Sequence, residues 1–153
     1  AKAFGCEIAV CRRHPADGQT NLTLPELFET SDIISLHTPL NEQTLHSVNR
    51  DVLKHAAKKP ILINAARGAV VDEEAVACAV ESGLLSGFAT DVYEGEPMRA
   101  DSPLRRLAGR DNVLFTPHMA WGAYEARKRL IDEVYRNIEA FLKGETRSRV
   151  DCL

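Results

Sequence analysis

The sequence predicts an α/β fold with a doubly wound parallel sheet, and three observations support this prediction. The chain has 153 residues and is 44% hydrophobic, which is enough to bury one core. Aliphatic side chains dominate and aromatic residues make up only 6%, a composition typical of parallel strands covered by helices. Short apolar runs alternate with helical segments, an order that predicts βαβ units with right-handed crossovers.

The apolar runs have the length of strands and are rich in Ile, Val, Leu and Phe. They cover residues 6–11, 32–37, 60–66, 86–92 and 112–118. Since each run is separated from the next by a segment with helical signals, we expect neighbouring strands to run parallel.

Helices are predicted between these runs from their start signals. Thr23 and Glu26, three residues apart, have the spacing of a capping box. Asn49 and Asp72 each precede a helical segment and are expected to act as N-caps. Residues 123–143 predict a long amphipathic helix with apolar side chains at helical spacing.

Composition and charge exclude several classes of protein. The formal net charge of -3 argues against a nucleic-acid-binding surface, which would be basic. No apolar run approaches the ~20 residues that cross a bilayer, so no membrane association is expected. The four cysteines follow no metal-ligand spacing, so no metal site is predicted, and they suit a reducing cytoplasm. Cys6 and Cys78 lie in apolar stretches and are expected in the core.

Polar residues follow three successive predicted strands, where ligands of parallel sheets bind. Arg67 follows the third run, while Asp91 and His118 end the fourth and fifth. A guanidinium offers a planar fork of donors that matches a carboxylate. The alternative for Arg67 alone is a surface arginine that caps a carbonyl or pairs with Asp72.

A histidine and a group of carboxylates complete the titratable set. His118 can exchange a proton near neutral pH, although a structural histidine at a strand end is the alternative. In "DVYEGEP", either Glu94 or Glu96 could hold an imidazole tautomer and favour its protonated form. The alternative for this stretch is an acidic, solvated loop.

Four motifs in order resemble the NAD-binding domain of the D-isomer-specific 2-hydroxyacid dehydrogenases. They are "SDIISLHTPLNEQT", "INAARGAVVDEEAV", "SGFATDVYEGEP" and "FTPHMAWGAYEAR", and the resemblance extends over residues 6–144. The stretch "HMAWGAYEAR", with Trp121 after the histidine, is especially similar to the glycerate dehydrogenase and hydroxypyruvate or glyoxylate reductase branch. The resemblance implies a Rossmann-like sheet in a cytoplasmic oxidoreductase that forms a homodimer.

The resemblance also implies roles for individual residues. Arg67 would bind the carboxylate of a small 2-oxo acid, His118 would be the acid/base, and Glu96, directly before Pro97, would be its carboxylate partner. A hydride would pass between NAD(P)H and this substrate, and Asp91 would contact the nicotinamide carboxamide. The positions that would line the cofactor are Thr38, Pro39, Thr44, the turn of Asn64, Ala65 and Ala66, and Arg67, Asp91, His118 and Ala120.

One departure from the family is the absence of a G-x-G-x-x-G turn from the sequence. Residues 1–4 resemble the last turn of a helix that Gly5 ends, so the first strand and its glycine-rich turn are expected upstream. We therefore expect residues 1–145 to be a partial dinucleotide-binding domain and residues 146–153 a tail. The substrate domain would lie mostly upstream, and this chain alone would bind cofactor weakly and be inactive.

A second departure follows the first predicted strand, where members that prefer NAD carry an acidic residue. Here Cys11 is followed by Arg12, Arg13 and His14. Two guanidinium groups suit the 2′-phosphate of NADP, so NADP is favoured over NAD as the cofactor. A basic surface turn is the alternative.

Two other functions compete with the enzyme. Corepressor-like relatives bind dinucleotides on the same scaffold. Since a fold alone does not fix a function, a regulatory protein of this kind is the alternative. A truncated product without catalysis is the third possibility. The substrate is also open, with glyoxylate, hydroxypyruvate, phenylpyruvate and larger 2-oxo acids all compatible with the residues.

Overall fold

A computed structural model describes residues 1–14, 18 and 20–150 of the chain. The strands are β1 (Ala9–Val10), β2 (Thr20–Asn21), β3 (Ile33–Leu36), β4 (Ile61–Asn64), β5 (Gly87–Thr90) and β6 (Val113–Phe115). The α-helices are α1 (Leu24–Thr30), α2 (Arg50–Leu53), α3 (Glu73–Glu81) and α4 (Tyr124–Leu142). Short 3-10 segments occur at Lys2–Phe4, Gly68–Val70 and Pro103–Leu107. The chain divides into two compact units, Ala1–Pro117 and His118–Leu153.

The main sheet of the first unit is parallel, with the strand order β3-β4-β5-β6. Each strand pairs with the next strand along the chain, and helical segments connect them. This arrangement is the Rossmann-like parallel α/β fold, so the predicted fold class is confirmed. Each strand is shorter than its apolar run, because the ends of the runs form the loops at the sheet edge.

The first predicted strand differs from expectation. Only Ala9–Val10 of residues 6–11 is a strand, and it pairs in parallel with Thr20–Asn21, which the sequence did not predict. The two form a separate two-stranded sheet. Both residues of β2 are exposed, so no apolar pattern marks this strand.

The expectation for the cysteines was wrong for Cys6 and only partly met for Cys78. Cys6 lies before β1 and is exposed. Cys78 lies on α3 at intermediate burial, where its thiol donates to Oε1 of Glu74 at 3.4 Å. An apolar neighbourhood in sequence therefore did not place either side chain in the core.

The core lies on one face of the main sheet, where strand side chains alternate with period two. Ile34, Leu62 and Phe88 occupy one row of the parallel register and are fully buried. On the opposite face, Ile33 and Ile61 are exposed. The helical segments complete the core with Phe28, Leu53, Val76, Val80, Leu104 and Leu107. Burial of one such aliphatic or aromatic side chain contributes about 1.5–3 kcal/mol.

The helix starts agree with the sequence. Thr23 and Glu26 form the predicted capping box at α1. The Asn49 side chain accepts from the first turn of α2, and Asp72 accepts from the Ala75 N–H at 3.0 Å to cap α3. Because caps of this kind are worth about 1 kcal/mol each, they fix where each crossover helix begins.

The second unit is dominated by α4, which confirms the predicted long helix over residues 123–143. Ion pairs one turn apart join Lys128 to Asp132 and Lys143 to Glu139. Across the described part of the chain, no helix combines the length and the apolar character that crossing a membrane requires.

Candidate functional site

The candidate residues of the first unit lie on loops that leave one edge of the main sheet. The parallel register aligns the last residues of the four strands, which are Leu36, Asn64, Thr90 and Phe115. Since parallel strands end at the same edge, the loops after β3, β4 and β5 emerge side by side. These loops carry Thr38, Pro39, Thr44, Ala65, Ala66, Arg67, Asp91 and Glu96.

The turn that presents Arg67 is closed by the side chain of Asn64. Asn64 is completely buried, its Nδ2 donates to the Arg67 carbonyl at 3.0 Å, and its Oδ1 accepts from the Ala66 N–H at 3.1 Å. Its own carbonyl accepts from the Asp91 N–H at 3.0 Å. The buried side-chain amide therefore fixes the backbone of the turn, and the main-chain carbonyl of Asn64 couples the turn to the start of the loop after β5.

The Arg67 side chain is exposed and uses one donor locally, from Nη1 to the Ala66 carbonyl at 2.7 Å. This is the carbonyl-capping contact of the alternative interpretation. The other alternative is not found, because Asp72 caps α3 and no ion pair to Arg67 occurs among the residues described. A guanidinium has five N–H donors, so several remain for an anion.

The loop after β5 is held by bonds from its own residues and from the end of β6. Thr116 Oγ1 donates to Asp91 Oδ1 at 2.5 Å, and the Tyr93 hydroxyl donates to the Thr116 carbonyl at 2.8 Å. Glu96 Oε1 accepts from the Tyr93 N–H at 3.1 Å. Burial raises the pKa of Tyr93, and the charges of Asp91 and Glu96 raise it further, so its hydroxyl stays a donor.

The two glutamates that the residues alone left open have different surroundings. Glu94 Oε1 lies 3.3 Å from His46 Nε2. The backbone N–H of His46 donates to the Ala69 carbonyl at 2.8 Å. Glu96 is held by the Tyr93 N–H within its own loop. Glu94 therefore already has a histidine neighbour, His46, which lies in the first unit. This leaves Glu96 as the candidate for the functional carboxylate.

Gly68 brings two segments into direct contact. One is the turn of residues 64–67, here called the arginine turn, and the other is the loop after β5 that carries Glu96, here called the glutamate loop. A Cβ at this position would lie 1.8 Å from the carbonyl carbon of Tyr93 and 2.3 Å from the nitrogen of Glu94. Only a residue without a side chain permits this approach. Arg67 and Glu96, 29 residues apart in sequence, therefore lie on adjoining segments.

The loop after β3 carries the predicted cofactor-lining residues of that strand. Thr44 Oγ1 donates to the Pro39 carbonyl at 2.7 Å and accepts from the Asn41 N–H at 2.8 Å, which closes the loop. Thr38 is half-buried. His37, which could have faced the crevice, has its Nε2 2.8 Å from the Ser35 hydroxyl.

The basic pair after β1 is exposed and reaches the same loop. The Arg12 N–H donates to Asn21 Oδ1 at 3.2 Å, and the Arg13 guanidinium donates to Gln43 Oε1. Burial raises the pKa of the preceding Cys11, so its thiol stays neutral. An exposed guanidinium can bind a phosphate ester, and the contact with Gln43 places that of Arg13 beside the Thr44 loop.

The second unit contains His118 and Ala120. His118 has φ 51, a left-handed conformation that is uncommon outside glycine, and such strain is often found at functional sites. His46 and Lys59 share this conformation, so the angle alone does not identify a site. The His118 carbonyl accepts from the Trp121 indole at 2.8 Å, and Ala120 is exposed. The meeting of His118 with Arg67 and Glu96 stays a prediction.

Sequence reasoning missed several residues that build the site. For Asn64, only the role of its side chain in closing the turn was missed, and it had a signal, because an amide at the end of a buried strand needs partners. Gly68, Tyr93, Thr116 and Gln43 had none, since their contacts join segments that are distant in sequence.

Several known proteins are similar to this chain. The family model for the "D-isomer specific 2-hydroxyacid dehydrogenase, NAD binding domain" matches residues 1–120. Glyoxylate reductase of Thermofilum pendens is 44% identical over 122 residues, which cover 80% of this chain and 35% of that protein.

Two solved structures are similar in fold and sequence. D-lactate dehydrogenase from Aquifex aeolicus, complexed with NAD and lactic acid, has a TM-score of 0.86 and 32% identity, and the match covers 94% of this chain and 48% of that one. An NADPH-dependent glyoxylate/hydroxypyruvate reductase from Sinorhizobium meliloti, in complex with NADP and malonate, has a TM-score of 0.83 and 35% identity, with 92% and 44% covered. The chain therefore spans less than half the length of each of these three relatives.

Proposed function

Because the chain belongs to the D-isomer specific 2-hydroxyacid dehydrogenases, with an NAD-binding domain model matching residues 1–120, we propose that it is the cofactor-binding part of an oxidoreductase. The enzyme transfers a hydride between NAD(P)H and a small 2-oxo acid, with glyoxylate and hydroxypyruvate as the first candidates. It is a cytoplasmic homodimer. All three relatives described above bear enzyme names, which favours this function over a corepressor-like protein.

The observation that carries the proposal is the contact between the arginine turn and the glutamate loop. A 2-oxo acid needs a cation for its carboxylate and, close by, an acid for its carbonyl oxygen together with the carboxylate that supports this acid. The approach at Gly68 places the segments of Arg67 and Glu96 against each other at the sheet edge where ligands of parallel sheets bind.

Each residue has a distinct role in the proposed reaction. Arg67 binds the substrate carboxylate and orients the carbonyl. His118 donates a proton to the carbonyl oxygen during reduction and accepts it in the reverse direction. Glu96 orients the imidazole and stabilises its protonated form. When bound, the nicotinamide cofactor supplies the hydride.

The residues that would hold the cofactor are on the segments after β1, β3, β4, β5 and β6. The donors fit a dinucleotide, because exposed guanidinium groups follow β1 and backbone turns follow the other strands. In the proposal, Arg12 and Arg13 bind the 2′-phosphate and Asp91 accepts from the carboxamide. The remaining lining positions are Thr38, Pro39, Thr44, Ala65, Ala66 and Ala120.

The proposed activity is tested with a panel of 2-oxo acids and the full-length protein. Glyoxylate, hydroxypyruvate, pyruvate and phenylpyruvate are each assayed with NADPH and with NADH by the loss of absorbance at the reduced nicotinamide. We expect turnover of at least one small 2-oxo acid and a higher kcat/KM with NADPH. Absence of turnover with every acid and both cofactors would contradict the proposed function.

Cofactor preference should depend on the guanidinium of Arg13. For Arg13→Gln in the full-length protein, we expect KM for NADPH to rise about tenfold, because one charge-assisted contact to phosphate contributes roughly 1.5–3 kcal/mol. KM for NADH should change by less than about twofold, since NADH lacks the phosphate that this contact recognises. Equal changes for the two cofactors would assign Arg13 to a basic surface turn.

A further inference from the structure

A buried carboxylate outside the proposed catalytic set lies beneath the glutamate loop. Glu73, the first residue of α3, has 6% of its surface exposed. Within residues 1–14, 18 and 20–150 it is the only charged side chain in the buried class. A buried carboxylate is costly unless hydrogen bonds satisfy both oxygens, so its contacts indicate what it stabilises.

The two oxygens of Glu73 contact two different points of the chain. Oε1 accepts from the Glu94 N–H at 2.9 Å, and Oε2 accepts from the Ser102 hydroxyl at 2.6 Å. These points are the two ends of residues 94–102, the segment that contains Glu96. One side chain therefore joins the two ends of this loop, and we refer to the two hydrogen bonds of Glu73, to Glu94 and to Ser102, as the clip.

The surroundings of Glu73 hold the clip in place. Glu73 lies at the N-terminus of α3, where the helix dipole favours a negative charge, and Asp72 caps the same end. Ser102 in turn caps the 3-10 segment Pro103–Leu107 by accepting from the Leu104 N–H at 3.3 Å. Since Leu104 is in the core, both the carboxylate and its second partner are anchored to buried structure.

The clip acts next to the contact that orients Glu96. Glu96 Oε1 accepts from the Tyr93 N–H, and the following peptide N–H, that of Glu94, is the one bound by Glu73. The same two residues pack against Gly68. A shift of the Glu94 amide would therefore move the donor that holds the Glu96 carboxylate.

We propose that Glu73 is a positioning residue that holds Glu96 in place through the Glu94 amide and Ser102. This inference rests on the proposed function, because Glu96 is the carboxylate partner of the acid/base histidine in that proposal. Glu73 does not touch the substrate or the reacting atoms. It keeps the loop of residues 94–102 in one conformation, so that Glu96 needs no rearrangement when a substrate binds.

The first test compares Glu73→Ala with Glu73→Gln in the full-length protein. For Glu73→Ala, we expect kcat to fall about tenfold, a part of the roughly 10²–10⁴-fold that acid–base catalysis contributes. KM for NADPH should stay within about twofold, since the cofactor-binding loops after β1 and β3 keep their contacts. Glu73→Gln should retain most of the activity, because its amide can still accept from Glu94 and donate to Ser102.

Two further variants separate positioning from general damage. Glu74→Ala is the matched control, because this neighbour on α3 is half-exposed and pairs with Arg106 instead of the loop. Ser102→Ala removes only one of the two contacts of Glu73, so it should fold even if Glu73→Ala does not, and its kcat should fall by less. A loss of kcat in Glu74→Ala equal to that in Glu73→Ala would overturn the inference, as would a Glu73→Gln variant as impaired as Glu73→Ala.

Hydrogen exchange supplies a readout that does not depend on activity. In Glu73→Ala, amides of residues 93–102 should exchange about tenfold faster than in the wild type, as expected for the loss of stabilising hydrogen bonds. Glu73→Gln and Glu74→Ala should exchange at the wild-type rate. Unchanged exchange in Glu73→Ala would refute the clip.

The failure of this inference can be told apart from the failure of the proposed function. A Glu96→Gln variant with wild-type kcat, or a wild type without reductase activity, would contradict the proposed function and the catalytic consequence drawn from it. Exchange in residues 93–102 would still decide whether Glu73 holds the loop. A low kcat in Glu96→Gln together with unchanged exchange and kcat in Glu73→Ala would leave the proposed function standing and remove the role of Glu73.

Discussion

Replacing Arg67 with glutamine is expected to raise KM for the 2-oxo acid by about 10²–10³-fold, because hydrogen bonds to charged groups contribute roughly 1.5–3 kcal/mol each. Glutamine keeps one donor group but loses the charge and the fork that matches a carboxylate. The substitution also removes the Nη1 donor from which the Ala66 carbonyl accepts, and a glutamine side-chain amide still offers an N–H donor. The measurement is steady-state kinetics of the full-length protein with the acid that it turns over fastest.

Two variants make the result specific to the guanidinium. Arg67→Lys keeps the charge without the planar fork, so its KM should lie between those of the wild type and Arg67→Gln. Arg136→Gln, on α4 and paired with Glu133 at the surface, is the control for a general loss of positive charge. KM for NADPH should change little in all three. An Arg67→Gln enzyme with the wild-type KM for the acid would remove Arg67 from substrate binding.

Replacing Gly68 with alanine is expected to destabilise the protein by about 3 kcal/mol, at the upper end of the range for overpacked sites. The new Cβ would lie 1.8 Å from the carbonyl carbon and 2.1 Å from the oxygen of Tyr93. These are backbone atoms, so no side-chain rotation can relieve the overlap, and the two loops must separate. At about 2–4 °C per kcal/mol for a chain of this size, the melting temperature should fall by about 6–12 °C.

Gly87→Ala is the matched control for this prediction. Gly87 is also buried, and the substitution by alanine is the same. The nearest atom to a Cβ at this position would be the Asn112 carbonyl oxygen, at 3.1 Å. Its neighbours need to yield by only a few tenths of an ångström, so the loss in melting temperature should be clearly smaller. Equal melting temperatures for the two variants would show that the Gly68 approach is not needed for folding.

The helix starts could be predicted from sequence because they depend on contacts within one turn. Thr23 and Glu26 are three residues apart, and Asp72 reaches Ala75. Their partners are fixed by chain connectivity, so a short pattern is sufficient. The side-chain bonds of Asn64 are also local, because they reach no further than Arg67.

The features that the sequence did not predict correctly depend on contacts between different segments of the chain. Strand β2 is exposed and has no apolar pattern, and only its pairing with β1 defines it. Cys6 has apolar neighbours in sequence but lies outside the core, because the ordered pairing begins at Ala9. Apolar composition reports what a segment could bury, whereas burial depends on which other segment packs against it.

The sequence by itself determined the family, the parallel α/β class and the chemical groups at the strand ends, because these follow from ordered motifs and local periodicity. Only the tertiary structure decided how the loops are joined. Gly68 meets Tyr93, and Arg13 meets Gln43. Glu73 reaches both Glu94 and Ser102, which are 21 and 29 residues away in sequence. Such contacts form when the strands align their ends at one edge, so they are properties of the folded sheet and not of any single segment.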